Sequence, residues 1–314
     1  MRWFLWRQHR AGGAVLAAVL GAFGVAVVVT GIHMADLYDS ARARCTTGGA
    51  VCTNDLNSLF NGYGAIIDTV HVTILLPVVL GVFLGAALIA RETEHATNVL
   101  VWTQGVTRRR WTLSSVTFAL VSTFVVAGAT SILVTWWSGT TNSLDGNRFQ
   151  GAQFDTQNVV PVAHALFAVA LGMAAGAVLR RSLPAVAATV GVFVGVRMVV
   201  AVYGRPLYAA TTVVTSPLGE RAQLAVPSGS WTVSRSVADA AGAPADRIEV
   251  PKSCVASSGD VIDGCLGRLG FRELVRFHPA SDYWRFQWTE SVLYIVLAAA
   301  LTVLAVIVTL RRDA

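Results

Sequence analysis

The sequence contains few charged residues. Charged side chains make up 13% of its 314 residues, hydrophobic ones make up 54%, and the mean hydropathy is +0.58. Soluble globular domains contain about 25% charged residues. This shortage of charge excludes an ordinary soluble domain and predicts a protein that contacts lipid.

Motifs typical of nucleotide-binding proteins and hydrolases are also missing. The chain has no GxxxxGK[ST] loop, which excludes ATP binding by that route, and it has no HExxH or GxSxG sequence. Its four cysteines include no CxxC pair of the kind that binds zinc. We therefore expect a non-catalytic chain with no metal site and no cofactor of its own.

Long hydrophobic runs are present instead. A transmembrane helix needs about 20 apolar residues, because the hydrocarbon layer is about 30 Å thick and a helix rises about 1.5 Å per residue. The predicted fold class is therefore an all-α polytopic membrane protein with six transmembrane helices. The runs are Ala11–Ile32, Val70–Ala90, Leu113–Trp137, Val159–Leu179, Leu183–Tyr203 and Ser291–Leu310.

The first run shares features with a secretory signal peptide, since arginines precede it and Ala41-Arg42-Ala43 imitates a cleavage site. The run is longer than a usual signal core, and the cleavage-like site lies well beyond it. We therefore interpret the run as an uncleaved helix, with cleavage as the alternative. Residues 1–10 mix aromatic residues with arginines and are predicted to lie in the membrane interface.

The basic residues predict the orientation of the chain. With the N-terminus in the cytoplasm, eleven Lys and Arg residues lie inside, and the two shorter outside loops hold only Arg42, Arg44 and Arg148. The long outside segment 204–287 holds nine, but long loops cross the membrane largely regardless of their charge. Cytoplasmic loops of membrane proteins carry such an excess. Both termini are therefore predicted to be cytoplasmic, and the net charge of +6 indicates contact with anionic lipid rather than with nucleic acid.

The long segment 204–287 is predicted to form a small extracellular domain, α/β or mainly β, before the last helix. Short alternating runs at Trp231–Ser234 and Arg247–Val250, separated by Pro, Gly and Ser, favour strands and turns. Helices one to five then occupy residues 11–203, and the last helix and a cytoplasmic tail occupy residues 288–314.

All four cysteines fall in the predicted outside segments. Oxidising conditions there permit disulfides, and four cysteines allow three pairings. We favour the local pairing, Cys45 with Cys52 and Cys254 with Cys265, because it closes the shortest loops.

Three ionisable residues lie within or beside the apolar runs. Arg197 lies 14 residues beyond Leu183, hence about 21 Å along the fifth helix. Asp68 and Glu290 precede the second and sixth helices, so the three side chains can share one depth at the outer side. Such residues are costly in a membrane and indicate function. The alternative is that Arg197 extends to the outer headgroups without a partner.

Glycines and one proline suggest where the helices pack. Each of the pairs Gly81/Gly85, Gly172/Gly176 and Gly191/Gly195 forms a GxxxG motif, which permits close helix approach, although chance matches are expected among 28 glycines. Pro77 is predicted to kink the second helix, because proline lacks a backbone donor.

The most specific passage joins the second and third helices, from Arg91 to Thr112, and reads RETEHAT and then VWTQGVTRRRW. It resembles the cytoplasmic loop of actinobacterial ABC transporter permeases of the type-2 exporter class, departing from them at His95. The segment His278–Glu290 is similar to that family's entry into its last helix. Together these likenesses extend over most of the chain.

This resemblance implies a non-catalytic permease subunit in a bacterial plasma membrane. Such subunits pair, here as a homodimer within membrane lipid, and a separate ABC ATPase subunit that binds ATP and Mg drives export. The positive-inside bias explains the arginines of the loop, but it does not explain the acidic residues, the glutamine or the two tryptophans. We therefore expect the loop to contact the ATPase. The predicted coupling residues are Glu92, Glu94, Gln104, Arg108, Arg109 and Arg110.

Two other readings stay open. A secondary transporter or channel would be expected to show embedded acidic residues or an inverted repeat, and neither is convincing in this sequence. A membrane-anchored sensor or assembly protein would instead use the segment 204–287 to bind an extracellular ligand. Copurification with an ATPase separates the permease from both.

Overall fold

The computed structural model describes residues 2–45, 62, 64, 66, 68, 70–94, 107–145, 147–217, 226–239 and 265–312. Within it the chain forms two compact units. The membrane unit comprises Met1–Leu144, Gly151–Ala201 and Gln287–Ala314, and the sheet unit comprises Asp145–Gln150 and Val202–Phe286.

In the part of the chain that the structure describes, six helices are long and apolar enough to cross a membrane, which confirms the predicted number of spans. We call them span one to span six in chain order. Their bounds are Ala18–Ala43, Val72–Ala90, Arg108–Asn142, Val160–Leu179, Ser182–Leu207 and Ala280–Arg311. Spans one, three and four lie within the α-helices Arg2–Cys45, Arg108–Asp145 and Val160–Leu179, and a short helix, Gly151–Thr156, precedes span four. Span five begins as the α-helix Ser182–Val199 and continues as a π-helix over Val200–Gly204 and a 3-10 helix over Arg205–Leu207. Span six begins as a 3-10 helix over Ala280–Asp282 and continues as the α-helix Tyr283–Arg312.

Span two is irregular along its length. It begins as a 3-10 helix over Val72–Leu75, becomes α-helical over Leu76–Leu80, widens to a π-helix over Gly81–Ala86, and ends as an α-helix over Ala87–Glu94. The sequence predicts a kink at Pro77, and the structure places this proline in the first turn after the change from 3-10 to α geometry. The missing N–H of a proline is tolerated at that position.

Span four forms the centre of the membrane unit, and it packs against span two through glycines. A Cβ atom added to Gly81 would lie 2.8 Å from the Ala168 carbonyl oxygen, and one added to Gly176 would lie 3.1 Å from the Ala86 carbonyl oxygen. Two of the three GxxxG motifs therefore permit the close approach that the sequence suggests. The third does not, because no atom of the described residues lies within 4 Å of a Cβ added to Gly191 or Gly195.

The described residues of the sheet unit form a three-stranded antiparallel sheet in the order β1-β3-β2. The strands are β1 (Thr212–Pro217), β2 (Trp231–Ala238) and β3 (Arg272–His278). The predicted strand at Trp231–Ser234 is confirmed as the start of β2, whereas the one predicted at Arg247–Val250 lies outside the described residues.

Aromatic rings form the core of the sheet unit. Phe149 packs edge-on against Tyr283 and Phe286, with centroids 5.5 Å and 5.4 Å away. His278, at the end of β3, is buried and lies 5.5 Å from the Trp231 ring and 4.8 Å from the Phe286 ring. Burial lowers the pKa of His278 below its ordinary value, although the Pro206 backbone and the Asp282 carboxylate act in the opposite direction.

This lowered pKa predicts that the sheet unit loses stability in acid. Below about pH 6.5 the unfolded chain protonates this histidine before the folded chain does. The stabilising contribution of neutral His278 is therefore fully present above that pH and is lost as the pH falls through the folded-state pKa. Thermal unfolding of the full chain should show a transition temperature that drops in this range, with a smaller drop in His278→Gln. Equal pH dependence in the two proteins would contradict the assignment.

Candidate functional site

Four ionisable side chains meet inside the membrane unit, and we call them the charge cluster. Asp155 comes from the short helix before span four, His164 from span four, Arg197 from span five and Glu290 from span six. The Arg197 guanidinium Nη2 pairs with Oδ2 of Asp155. Nε2 of His164 lies 3.3 Å from Oε1 of Glu290, and these two side chains are 0% and 1% exposed. The cluster therefore joins three spans through two pairs of side chains.

The sequence of span six explains how Glu290 is held in place. Gln287, Glu290 and Tyr294 are spaced by three and four residues, which puts them on one helix face. The buried Gln287 side chain donates to the Phe154 carbonyl at 3.1 Å and accepts from the Val160 backbone N–H at 3.2 Å. These two hydrogen bonds fix span six against the start of span four.

The other side of His164 is covered by an aromatic ring. The Tyr294 ring stands edge-on to the imidazole, with the centroids 4.4 Å apart. A tyrosine ring four residues beyond Glu290 thus limits the rotation of the His164 imidazole. The arrangement is typical of buried polar networks, in which packing and polar contacts fix one geometry.

Three members of the charge cluster have the donor types of a cation site. One ligand atom from each of Asp155, His164 and Glu290 lies within 4.8 Å of the others. In the structure, however, these groups are arranged as two pairs, since Asp155 is engaged by Arg197 and Glu290 by His164. We therefore treat them as a charge network.

The structure partly differs from the arrangement that the sequence suggests. Arg197 and Glu290 both belong to the cluster, but the partner of Arg197 is Asp155, which the sequence analysis did not select. Asp68 lies in a helical conformation before span two, and its side chain is exposed. Asp155 could have been selected by the criterion applied to Asp68 and Glu290, because it too is an acidic residue shortly before an apolar run. His164 carries no comparable signal.

A second site lies at the start of the predicted coupling loop. Glu94 is the last residue of the helix that ends span two, and its carboxylate accepts two hydrogen bonds from Ser182. The backbone N–H of Ser182 donates at 2.9 Å and its hydroxyl at 2.6 Å. Ser182 is the first residue of the helix of span five. Glu94 therefore caps the N-terminus of span five from a different helix, where a carboxylate is favoured by the helix dipole.

The described part of the loop ends at the start of span three. Thr107 precedes that helix, and its hydroxyl accepts from the Arg110 backbone N–H at 3.4 Å. Arg108 is half-buried, whereas Arg109 and Arg110 are exposed. Positive charges in the first turn of a helix oppose the helix dipole.

The remaining predicted residues are only partly described. The structure gives the helical backbone of Glu92 and not its side chain, and Gln104 lies outside the described residues. Cys265 is disulfide-bonded, while its predicted partner Cys254 and also Cys52 lie outside the described residues. Cys45 is the last residue of the first helix, and its side chain is not described. The proposed pairing of the cysteines stays a prediction.

Comparison with known families decides the class of the chain. The family model described as ABC-2 membrane transporter related matches residues 17–205. This chain belongs to that family. No curated protein and no solved structure gives a match.

Membership of the ABC-2 membrane transporter related family confirms the resemblance to type-2 ABC permeases, while the actinobacterial character stays a prediction. The matched range contains the coupling loop, Glu94, Ser182 and three members of the charge cluster. Glu290 lies beyond it. An ABC-2 assignment supports a multi-pass permease subunit, and it agrees with the absence of an ATP-binding loop in the sequence.

Proposed function

We propose that this chain is the membrane-spanning permease subunit of an ATP-driven ABC exporter. A separate ABC ATPase subunit, which binds ATP and Mg, supplies the energy, and this chain has no catalytic role. The observation that carries the proposal is the family match over residues 17–205, which includes spans one to four, the loop between spans two and three, and all but the last two residues of span five.

The contact between Glu94 and Ser182 suggests a route for mechanical coupling. Glu94 lies at the start of the loop, so a displacement of the loop pulls on Ser182 and hence on span five. Arg197 lies 15 residues further along that span, about 22 Å away, and pairs with Asp155. We propose that loop motion is transmitted along span five to the charge cluster.

The loop itself offers charges to a soluble partner. We propose that Glu92, Gln104 and the arginines Arg108, Arg109 and Arg110 contact the ATPase, while Glu94 transmits the motion.

The assembly in the membrane follows from the same proposal. Large apolar side chains are exposed on the spans, among them Ile132, Leu183 and Tyr203 at 72%, 81% and 70%. These surfaces suit membrane lipid and a second copy of the chain, which makes a homodimer. We place the chain in a bacterial plasma membrane with both termini in the cytoplasm and the sheet unit outside.

Copurification tests the proposal. The tagged chain, extracted from membranes of its own host, should retain an ABC ATPase, whereas a variant with residues 91–112 replaced by a Gly/Ser linker should not. Equal retention by both would refute the role of the loop. Absence of any ATPase from the intact preparation would favour a secondary transporter or a membrane-anchored sensor or assembly protein.

Glu94→Ala should uncouple transport from hydrolysis. Its loss removes both hydrogen bonds to Ser182 and leaves the proposed ATPase contacts in place. We expect ATPase binding to be retained and the ratio of solute transported to ATP hydrolysed to fall about three- to ten-fold, the effect of losing one to two polar contacts. Asp68→Ala, at an exposed acidic residue outside the loop, serves as the matched control. If the ratio of solute transported to ATP hydrolysed were unchanged in Glu94→Ala, Glu94 would not transmit loop motion to span five.

A further inference from the structure

We propose that the π-helical segment of span two, Gly81–Ala86, is a hinge about which the rest of that span turns when the coupling loop moves. The part that turns is the helix Ala87–Glu94, which leads into the loop and which we call the arm. This inference rests on the proposed function, because it states where span two yields as the loop is displaced.

The hydrogen bonding of the segment gives the arm a second possible position. The backbone N–H of Ala87 donates to the carbonyl of Val82, five residues back, whereas an α-helical N–H donates to the carbonyl four residues back. A shift of this pattern by one residue turns the following helix by about 100° and moves it about 1.5 Å along its axis. The arm can therefore turn at this segment and keep its own α-helical hydrogen bonds.

The proline of span two does not explain the π-helix. A proline distorts a helix on its N-terminal side, because its ring meets the carbonyl four residues earlier and its N–H is missing. Pro77 follows the 3-10 helix Val72–Leu75, and the residues Leu76–Leu80 are α-helical before the π-helix begins at Gly81. The π-helix therefore has a separate cause, and such segments are frequent at functional sites.

The arm is attached to span five by polar and apolar contacts. The Glu94 carboxylate accepts from the backbone N–H of Ser182 at 2.9 Å and from its hydroxyl at 2.6 Å. Ala90 on the arm and Ala185 on span five are both 0% exposed and belong to one buried apolar cluster with Ala86. A turn of the arm therefore carries span five with it.

The contact between the segment and span four is made by backbone atoms. A Cβ atom added to Gly85 would lie 2.5 Å from the Val169 carbonyl oxygen, and one added to Gly172 would lie 2.6 Å from the Ala86 backbone nitrogen. Small residues allow this close approach and leave no side chains interlocked at the glycines. A small sliding motion of the segment along span four is therefore not blocked by side chains at these positions.

The other π-helix of the described residues lies on span five. It covers Val200–Gly204, directly after the α-helix Ser182–Val199. The described helices of spans one, three, four and six are α-helical, apart from a 3-10 turn at the start of span six. The two π-helices thus lie on the two spans that Glu94 and Ser182 join, which favours a linked motion over an isolated packing irregularity.

Deletion of Phe83 tests the hinge. This side chain is 68% exposed, and removing one residue from the π-helix leaves an α-helix that keeps the faces of the flanking helices. Phe83→Ala removes the same ring and keeps the number of residues, so it is the matched control. Deletion of Ile132, which is 72% exposed in the α-helix of span three, is the control for deletion itself.

A spin label reports the motion without a transported solute. The full chain is reconstituted in lipid nanodiscs with its copurified ATPase. An unnatural amino acid carries the label at Ala87 on the arm or at Val79 before the segment, and spectra are recorded without nucleotide and with ATP and Mg. We expect the accessibility of the Ala87 label to a lipid-soluble relaxation agent to change about two-fold or more, as a turn of about 100° requires. The Val79 label should stay unchanged.

The variants should separate the hinge from general effects. Phe83→Ala should show the same change at the Ala87 label as the wild-type chain. Deletion of Phe83 should leave a folded chain that retains the ATPase and shows no change at this label. Deletion of Ile132 should lower the midpoint of unfolding in a denaturing detergent titration, because it turns the rest of an α-helix away from its contacts.

Three results would overturn the hinge while the ATPase is bound. These are an unchanged Ala87 label in the wild-type chain, a Val79 label that changes as much as the Ala87 label, and a full change at Ala87 after deletion of Phe83. If the deletion variant does not fold, the two labels in the wild-type chain decide. Failure of the proposed function is a separate result, because no ATPase is then found in the intact preparation, and the hinge is rejected with it.

Discussion

Replacing Asp155 with asparagine is expected to lower the free energy of unfolding of the chain by about 3–5 kcal/mol, which is the usual cost of breaking a buried ion pair. The physical reason is that the Arg197 guanidinium would keep its charge and lose its partner. Arg197 is 15% exposed and Asp155 is 7% exposed, so water cannot replace the missing carboxylate. Unfolding in a denaturing detergent titration of the purified chain measures the effect.

Two further variants separate this effect from a general loss of charge. Asp68→Asn removes an equivalent charge from an exposed site and should change stability by less than about 0.5 kcal/mol. The double variant Asp155→Asn with Arg197→Gln removes both charges and should recover much of the loss, because no unpaired charge is left. Equal destabilisation by Asp155→Asn and Asp68→Asn would show that the Arg197–Asp155 pair contributes no more to stability than a single exposed charge does.

Substituting Gly172 with alanine is expected to destabilise the membrane unit by about 1–3 kcal/mol, the usual range for overpacking. A Cβ atom at this position would lie 2.6 Å from the Ala86 backbone nitrogen and would collide with the Gly81 carbonyl oxygen. These are backbone atoms of span two, so no side chain can rotate away. The spans must separate, and the same detergent titration reports the loss.

The matched control for Gly172→Ala is another motif glycine. Gly195 belongs to a GxxxG motif on span five, and a Cβ atom there has none of the described atoms within 4 Å. Gly195→Ala should therefore be neutral or slightly stabilising, because alanine is the better helix former. Similar losses in both variants would contradict the packing of span two against span four.

The six spans could be predicted from the sequence because hydrophobic length is fixed by the bilayer and is visible in composition. The partner of Arg197 could not be predicted in the same way. Asp155 lies on a short helix outside the apolar runs, and only tertiary packing brings it to span five. His164 could not be identified for a similar reason. A single histidine in an apolar helix forms no sequence pattern, and only the fold places Glu290 beside it.

The contact made by Glu94 also could not be predicted from the sequence. Because Glu94 lies among acidic residues at the start of the loop, the sequence predicts a role in coupling. The sequence does not indicate that the Glu94 carboxylate caps a helix that begins 88 residues further along the chain. The glycine motifs also look alike in sequence, and only the structure shows that Gly172 touches another backbone while Gly195 does not. Local patterns identify helices, whereas contacts between distant helices require the fold.

Transport by the reconstituted chain shows whether it depends on a separate ATPase. Proteoliposomes containing the chain alone, or the chain with its ATPase, are loaded with ATP and Mg and assayed against a panel of lipids, peptides and amphiphilic compounds. The account predicts movement of a solute against its gradient only when the ATPase and ATP are both present. Movement against a gradient by the chain alone would contradict it.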